Sequence, residues 1–494
     1  MLSKILSAIL LLVGAFLIAG FDHAPRIDQA SIENTISDDQ PNIIVILADD
    51  LGYNDLGFTG SKDIKTPVVD ELAKNGMIFS NAYVTHPYCG PSRAGLLTGR
   101  YQARFGMESN LDHTPSDPHH GIPVGEKVFA ERLQAVGYKT GMVGKWHLGS
   151  HSNFHPMNRG FDYFYGFLGG GHDYFPESVQ MGIDPYKVPM QENRRVGEFS
   201  DYLTTEISRH GAKFVKENQD HPYLLYVAYN APHGPLQAPQ EILDKYKHIE
   251  DRDRRTYLAM VDAMDQGIGL IVEALKETDE FDNTLIFFLS DNGGPYPEEW
   301  CPELDYTSNY PFRRGKVALT EGGIHVPFIA HWPAKIKQGT TFDGLISALD
   351  IAATSVAISG ATSDALLEGV NLLPYMIGEK TDSPHKALFW RLFEQDNLWA
   401  VRTEKYKYFH QPLPNVGLSF FDMQKDPYEK ENLVGNQPAQ QKELAGLWNE
   451  WNKQNINNIH PPYYEYKGLI KKQYQYFNDS LVEASEKRKT YMVE

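Results

Sequence analysis

Three runs in this chain of 494 residues are apolar along almost their whole length: Asn42 to Ala48, Tyr223 to Ala228 and Thr284 to Ser290. A strand with one wet face alternates polar and apolar residues; a strand without alternation must be covered on both faces. Strands of that kind belong to parallel sheets flanked by helices, and helical patterns do intervene. Thr66-Pro67 opens one helix with a favourable cap residue and a proline at the first position, and Gly76 stops it. Glu126 to Val136 reads as a second, closed by Gly137, and the short strand Tyr138 to Val143 follows. Arg254 to Leu275 places Leu258, Val261, Met264, Ile268, Ile271 and Leu275 at helical spacing. The alternation predicts an α/β fold, with a large domain over residues 41–378 whose mostly parallel sheet is sandwiched by helices.

Beyond a polar stretch at 375–385, short alternating runs follow at Ala387 to Leu392, Leu398 to Arg402 and Tyr406 to His410. With a helix near Ala439 to Trp451, they predict a small C-terminal subdomain and tail over 379–494, built on an antiparallel sheet and ending in aromatic residues from Pro461 to Phe477. The stretch from Gly160 to Gly197 has no period, and so long an irregular segment inside a compact domain marks a functional surface.

Lys4 followed by the apolar run Ile5 to Ala19 reads as a signal peptide over residues 1–24, with a linker over 25–40. The run is shorter than the roughly 20 residues a membrane-spanning helix needs, so the mature chain is expected to be exported, periplasmic or secreted, with no membrane span. The only cysteines are Cys89 and Cys301, which excludes a disulfide framework and leaves at most one bridge. Lys plus Arg number 46 against 64 Asp plus Glu, a net charge of −18, which argues against nucleic acid as a partner. An anionic substrate would need a local cluster of cations.

The residues that follow the buried strands carry the chemistry. Asp49 and Asp50 follow the first; Lys145 and His147 follow the strand ending at Val143; His233 follows the strand near Tyr229; Asp291 and Asn292 follow Ser290. Ligands of open parallel sheets bind at the carboxyl ends of the strands. Three carboxylates and an amide form a hard oxygen set that suits Ca²⁺ or Mg²⁺ and not zinc. Cys89 stands where Pro91 and Ser92 open a helix reaching about Thr98, at an N-terminus that favours negative charge, and Arg93 can fold back to the same spot. A thiolate nucleophile and a buried structural cysteine are both compatible with that setting.

Cys89-Gly-Pro-Ser-Arg93 with Leu97-Thr-Gly-Arg100 resembles the Cys-x-Pro-x-Arg and Thr-Gly-Arg signature of type I, formylglycine-dependent sulfatases of the alkaline-phosphatase superfamily. Asp49-Asp-Leu-Gly52, Gly144-Lys-Trp-His147, Pro232-His233, Asp291-Asn-Gly293, and Gly315-Lys316 with Glu321-Gly-Gly323 match further family motifs, and Phe421 to Leu433 resembles the family's C-terminal subdomain. The resemblance implies that Cys89 is oxidised to Cα-formylglycine by a maturation enzyme. Asp49, Asp50, Asp291 and Asn292 would bind one cation, Ca²⁺ with Mg²⁺ as the alternative, together with an oxygen of the modified Cys89. Arg93 would orient the hydrate, Lys145 and Lys316 would neutralise sulfuryl oxygens, His147 would be the base for release, and His233 would protonate the leaving alcohol.

The expected substrate is a sulfated oligo- or polysaccharide, such as an algal galactan of the carrageenan kind. His172, Asp173, Arg194 and Arg314 are the candidate residues to contact it, and the segment Tyr296 to Arg314 is a second candidate wall. A phosphatase or phosphodiesterase of the same superfamily is a rival reading, disfavoured by Cys89 and by Asn292 where a histidine would be more typical. A non-catalytic carbohydrate-binding relative would not need an aldehyde precursor, and a cysteine hydrolase pairing Cys89 with His147 or His233 is the third rival.

Overall fold

The computed structural model describes residues 40–179, 189–297, 302–392, 398–413 and 415–460. The expected signal peptide, the linker up to residue 39, Trp300, Cys301 with its candidate bridge, and the aromatic tail lie outside them.

The large sheet has ten strands. At its centre β1 (Asn42–Ala48) pairs in parallel with β8 (Tyr223–Ala228) on one side and β9 (Thr284–Ser290) on the other; β4 (Lys139–Lys145) adds in parallel to β8, and β5 (Tyr163–Phe167) to β4. On the far side of β9 lie β10 (Phe328–His331), antiparallel, then β2 (Met77–Phe79) and β11 (Thr340–Phe342). A hairpin of β6 (Gln191–Glu192) and β7 (Arg195–Val196) closes the other edge. The two-residue strands β3 (Ala82–Tyr83) and β12 (Ile346–Ser347) pair separately.

The lack of alternation in β1 has a direct structural expression. Ile43, Val45 and Leu47 enter one hydrophobic core, Ile44, Ile46 and Ala48 another, and all six are at most 1% exposed. The first core is covered by α2 (Cys89–Thr98), α3 (Phe129–Gln134) and α6 (Leu349–Ser359); the second by α1 (Pro67–Lys74), α4 (Leu203–Glu217) and α5 (Arg252–Glu277). This is the helix-covered, mostly parallel sheet that the apolar runs require.

Some local expectations change. Thr66 stands at the cap position of α1 but its hydroxyl caps no amide there; it accepts from Gly57 N and donates to Asp70. The free amides of Val68 and Val69 are taken by Asp265 of α5, at 3.2 and 2.8 Å, a partner nearly 200 residues away. Helix α3 spans only Phe129–Gln134, because Glu131 turns back to accept from Val128 N and fixes the start there. The stretch from Gly160 to Gly197 is not irregular throughout: it contributes β5, β6 and β7. Strand β5 is short and aromatic, with glycine at position 166, so it shows no clear period.

The C-terminal part forms a four-stranded antiparallel sheet, β13 (Leu388–Arg391), β14 (Trp399–Arg402), β15 (Tyr406–Gln411) and β16 (Gly417–Asp422), covered by α7 (Pro438–Asn452). Val401, Phe420, Leu444, Trp448 and Trp451 pack there with Tyr101, just beyond α2, and Leu349 of α6.

Candidate active site

Strands β9, β1, β8 and β4 are consecutive neighbours and all parallel, so their carboxyl ends open on one edge. Asp291 and Asn292, Asp49 and Asp50, His233, and Lys145 and His147 leave from those four ends. Gly144 makes the last of these exits. Its φ is 104°, and a Cβ there would collide with the Ala228 carbonyl of β8. Beyond the strand, His147 itself takes a positive φ of 59°, as does Asp50 at 63°.

Cys89 is the first residue of α2, with Tyr88 extended before it, and is 1% exposed. The Gly90 amide donates to Asn110 Oδ1 at 2.9 Å, so the helix start is tied down by a residue from a loop that no sequence pattern singled out. Cys89 Sγ lies 3.4 Å from Asp49 Oδ1 and 3.9 Å from Asp50 Oδ1. Burial pushes its thiol well above the ordinary range, against the pull of Lys145 and Lys316. An unmodified cysteine here is a poor thiolate.

The carboxylates are matched by cations. Arg93, one helical turn after Cys89, donates through Nε and Nη2 to Asp291 Oδ2 at 2.9 and 2.8 Å and lies 3.6 Å from Asp49. Lys145 Nζ is 2.5 Å from Asp49 Oδ2, and Lys316 Nζ is 2.8 Å from Asp50 Oδ2 and 3.3 Å from Cys89 Sγ. Burial would raise the Asp50 carboxyl, but Lys316 and His233 outweigh it and hold it well below the usual range. Asp291 goes the other way: burial and the neighbouring Asp49 charge push it up to about 6, in spite of Arg93.

His147 Nε2 lies 3.2 Å from the Leu111 carbonyl, which can only accept, so Nε2 carries the hydrogen and Nδ1 is left as a buried nitrogen with no partner among the described residues. Burial first, then Lys145, Arg93 and Lys316, lower its basicity well below the ordinary histidine value. His233 Nδ1 donates to the Gly234 carbonyl at 2.7 Å, and Nε2 faces Asp50 Oδ2 at 3.6 Å. Burial, Lys145 and Lys316 take it down to about 4, with Asp50 opposing.

The donor set fits a divalent cation. Asn292 Nδ2 donates to Asp50 Oδ1 at 2.7 Å, while its Oδ1 is buried without a proton donor among the described residues. An orphaned amide oxygen beside three carboxylates is what a hard cation would satisfy. Ligand atoms of Asp49, Asp50, Cys89 and His233 all come within 4.8 Å of one another.

His172 and Asp173 are buried beside the His233 loop: Asn230 Nδ2 donates to the His172 carbonyl at 3.0 Å, and Gln237 Nε2 to Asp173 Oδ1 at 3.3 Å. Arg314 precedes Gly315-Lys316 and is partly exposed. Arg194 is not brought to this group. It sits in the β6–β7 turn, where the register runs back towards the amino end of β5, and donates to Asn158 Oδ1 at 2.6 Å. Tyr174, within the 160–197 stretch, donates its hydroxyl to the His233 carbonyl at 2.7 Å; residues missed by sequence reasoning are Asn110 and Leu111. Neither stands at a strand end, so no pattern marks them.

This sheet edge gathers carboxylates, buried cations and a cysteine at a helix start, an arrangement suited to an anionic ligand. Residues 41–361 match the model of the sulfatase family, and residues 315–470 match that of the N-sulphoglucosamine sulphohydrolase C-terminal domain. The chain belongs to the sulfatase family and is a sulfuric ester hydrolase. It is 33% identical to the uncharacterized sulfatase YdeN of Escherichia coli strain K12, over 86% of each chain. It is 35% identical to human N-acetylgalactosamine-6-sulfatase, over 71% of this chain and 72% of that one. Among solved structures, Ps i-CgsB in complex with k-i-k-neocarrahexaose superposes with a TM-score of 0.79 at 38% identity, covering 85% of this chain and 94% of that one.

Proposed function

We propose that this chain is an exported sulfatase that hydrolyses sulfate esters of a sulfated carbohydrate, of the carrageenan class of galactans. The observation that carries the chemistry is the setting of Cys89 Sγ, 3.4 Å from a carboxylate oxygen of Asp49 and 3.3 Å from the Lys316 ammonium. A group there faces both the oxygen cluster and a cation suited to sulfuryl oxygens. The substrate class is supported by the likeness to Ps i-CgsB, solved with a neocarrahexaose. Lys4 followed by the apolar run Ile5 to Ala19, read as a signal peptide, supports export.

Oxidised to Cα-formylglycine and hydrated, Cys89 would offer one hydroxyl to attack sulfur and a second whose deprotonation expels sulfate and restores the aldehyde. Asp49, Asp50, Asp291 and Asn292 would hold Ca²⁺, which would supply positive charge for sulfate and hydrate oxygens. Arg93, locked on Asp291, orients the modified residue. Lys145 and Lys316 offset the charge of the sulfuryl group.

His233, whose Nδ1 hydrogen goes to Gly234, would take up a second proton at Nε2 once the ester is bound and pass it to the departing alcohol. In the free site its imidazole is neutral, and the charge of an arriving sulfate ester offsets the two lysines that depress it. His147 Nδ1, unpartnered and unprotonated, takes the proton of the second hydroxyl. His172, Asp173 and Arg314 belong to the substrate side of this reading; Arg194, turned to Asn158, would meet only a distant part of a long chain.

The test is the mass of the Cys89 tryptic peptide from protein co-expressed with a maturation enzyme, with sulfate release from carrageenan oligosaccharides measured on the same sample. An aldehyde mass with sulfate release is expected. Full activity from protein whose Cys89 is wholly unmodified would overturn the mechanism; matured protein that releases sulfate only from other sugars would overturn the substrate class.

A further inference from the structure

Lys316 reaches the site from a loop, not from a strand end, and the loop backbone is unusual. Arg314 and Val317, on either side of it, have φ of 58° and 73°. A β-branched residue in the left-handed region is disfavoured by its own Cβ. Such a conformation persists only where the surroundings over-determine it. Two ties come from the segments after β9 and before α2: Lys316 N donates to Gly294 O at 2.9 Å and Val317 N to Pro87 O at 3.1 Å.

The other ties come from the C-terminal sheet. The side chain of Gln411, in β15, donates through Nε2 to the Val317 carbonyl at 2.9 Å and accepts through Oε1 from the Leu319 amide at 2.7 Å. A carboxamide supplies the donor and the acceptor together, which neither a carboxylate nor an aliphatic side chain does. The period of two puts Lys407 on the same buried face of β15. Its ammonium lies 2.8 Å from Glu321 Oε1 and 2.7 Å from Glu429 Oε1, and Glu429 Oε2 accepts from the Glu321 amide at 3.0 Å. The segment 317–321 is thus pinned to β15 at both ends.

We propose that Gln411 is a positioning residue of the active site: by fixing the turn at Val317 it sets where the Lys316 ammonium lies. Among the described residues the Gln411 side chain hydrogen-bonds backbone groups of the Lys316 loop; it acts through the lysine. The inference rests on the reading of Lys316 as a residue that bears on the sulfuryl group. It makes the C-terminal sheet part of the catalytic apparatus.

The experiment compares Lys316→Ala, Gln411→Leu and the double variant in the matured, calcium-loaded protein. Affinity for inorganic sulfate is titrated calorimetrically, and thermal melting is recorded alongside. Lys316→Ala is expected to weaken sulfate binding about tenfold or more, and Gln411→Leu about three- to tenfold, as for coupled neighbours. The double variant should bind within about twofold of Lys316→Ala alone, because without the ammonium Gln411 has nothing left to position. Gln411→Glu, which still accepts from Leu319 but cannot donate to Val317, should fall between wild type and Gln411→Leu; it replaces Gln411→Leu in the cycle if that variant fails to fold. Wild-type sulfate affinity in Lys316→Ala would refute the role of Lys316 itself. A loss in Lys316→Ala with none in Gln411→Leu, or with the two losses adding in full, would overturn the positioning role. A lower melting temperature with unchanged sulfate affinity would likewise leave Gln411 a purely structural residue.

Discussion

Lys316 and Cys89 are 227 positions apart, yet the ammonium of one lies 3.3 Å from the sulfur of the other. The same ammonium is within 2.8 Å of Asp50. The Cys89 position therefore faces a cation on one side and an acidic cluster on the other, and its chemistry can be probed by changing one atom at a time.

Cys89→Ser should fold and melt within a few degrees of wild type, since it exchanges one small buried atom for another. It should lose multiple turnover entirely. Serine can attack sulfur but has no second hydroxyl to expel sulfate. Sustained turnover of any sulfate ester by Cys89→Ser, followed by sulfate release, would show that the formylglycine mechanism is wrong.

Asp291→Ala should lose bound calcium, seen by elemental analysis, and lose activity with it. It also strips the buried Arg93 guanidinium of two hydrogen bonds, and breaking a buried ion pair costs about 3–5 kcal/mol. The 3.6 Å contact with Asp49 should keep the loss, read from denaturant melts, near the lower end. Full activity of the wild-type enzyme after exhaustive chelation would remove the cation from the mechanism.

His233→Ala should damage turnover of a sulfated oligosaccharide about a hundred- to ten-thousand-fold, the usual range of general acid help. An aryl sulfate, whose phenolate leaves unaided, should suffer much less. His147→Ala acts after the leaving group has gone, so sulfated enzyme should accumulate and be visible by mass. Equal losses on both substrates for His233→Ala, with no adduct in His147→Ala, would show the two roles wrongly assigned.

The pH dependence of stability should carry a signature from His385. Its Nε2 lies 2.8 Å from the fully buried Asp350, and although burial opposes it, that carboxylate holds the imidazole above the usual histidine range. A raised value means that the stabilisation is complete below the unfolded value of about 6.5 and fades as pH rises through the folded one. His385→Gln should therefore cost about 2 kcal/mol near pH 6, on the scale of a charge-assisted hydrogen bond, and progressively less in alkaline buffer. Urea melts at several pH values would check this; a gap that widens with pH would contradict it.

How far the sequence alone reaches can be seen residue by residue. Strands β1, β8 and β9 were legible because burial on both faces leaves an apolar run that no other element explains. The site's strand-end residues followed from the same fact, since a parallel sheet delivers its carboxyl ends to one edge. Loop and cap partners were not legible. Asp265 capping α1, Asn110 holding the Gly90 amide and Gln411 bracing Val317 each satisfy a backbone group far away in the chain, and a backbone amide looks alike in every sequence. Arg194 shows the converse: its residue type suits an anion, but the register of β6 on β5 turns it away from the edge. Chemistry-bearing residue types and their place on strands are local, and the sequence by itself determined them. Which partner each polar group meets depends on distances closed only when the two sheets and the Lys316 loop pack together, and that the tertiary structure alone decided.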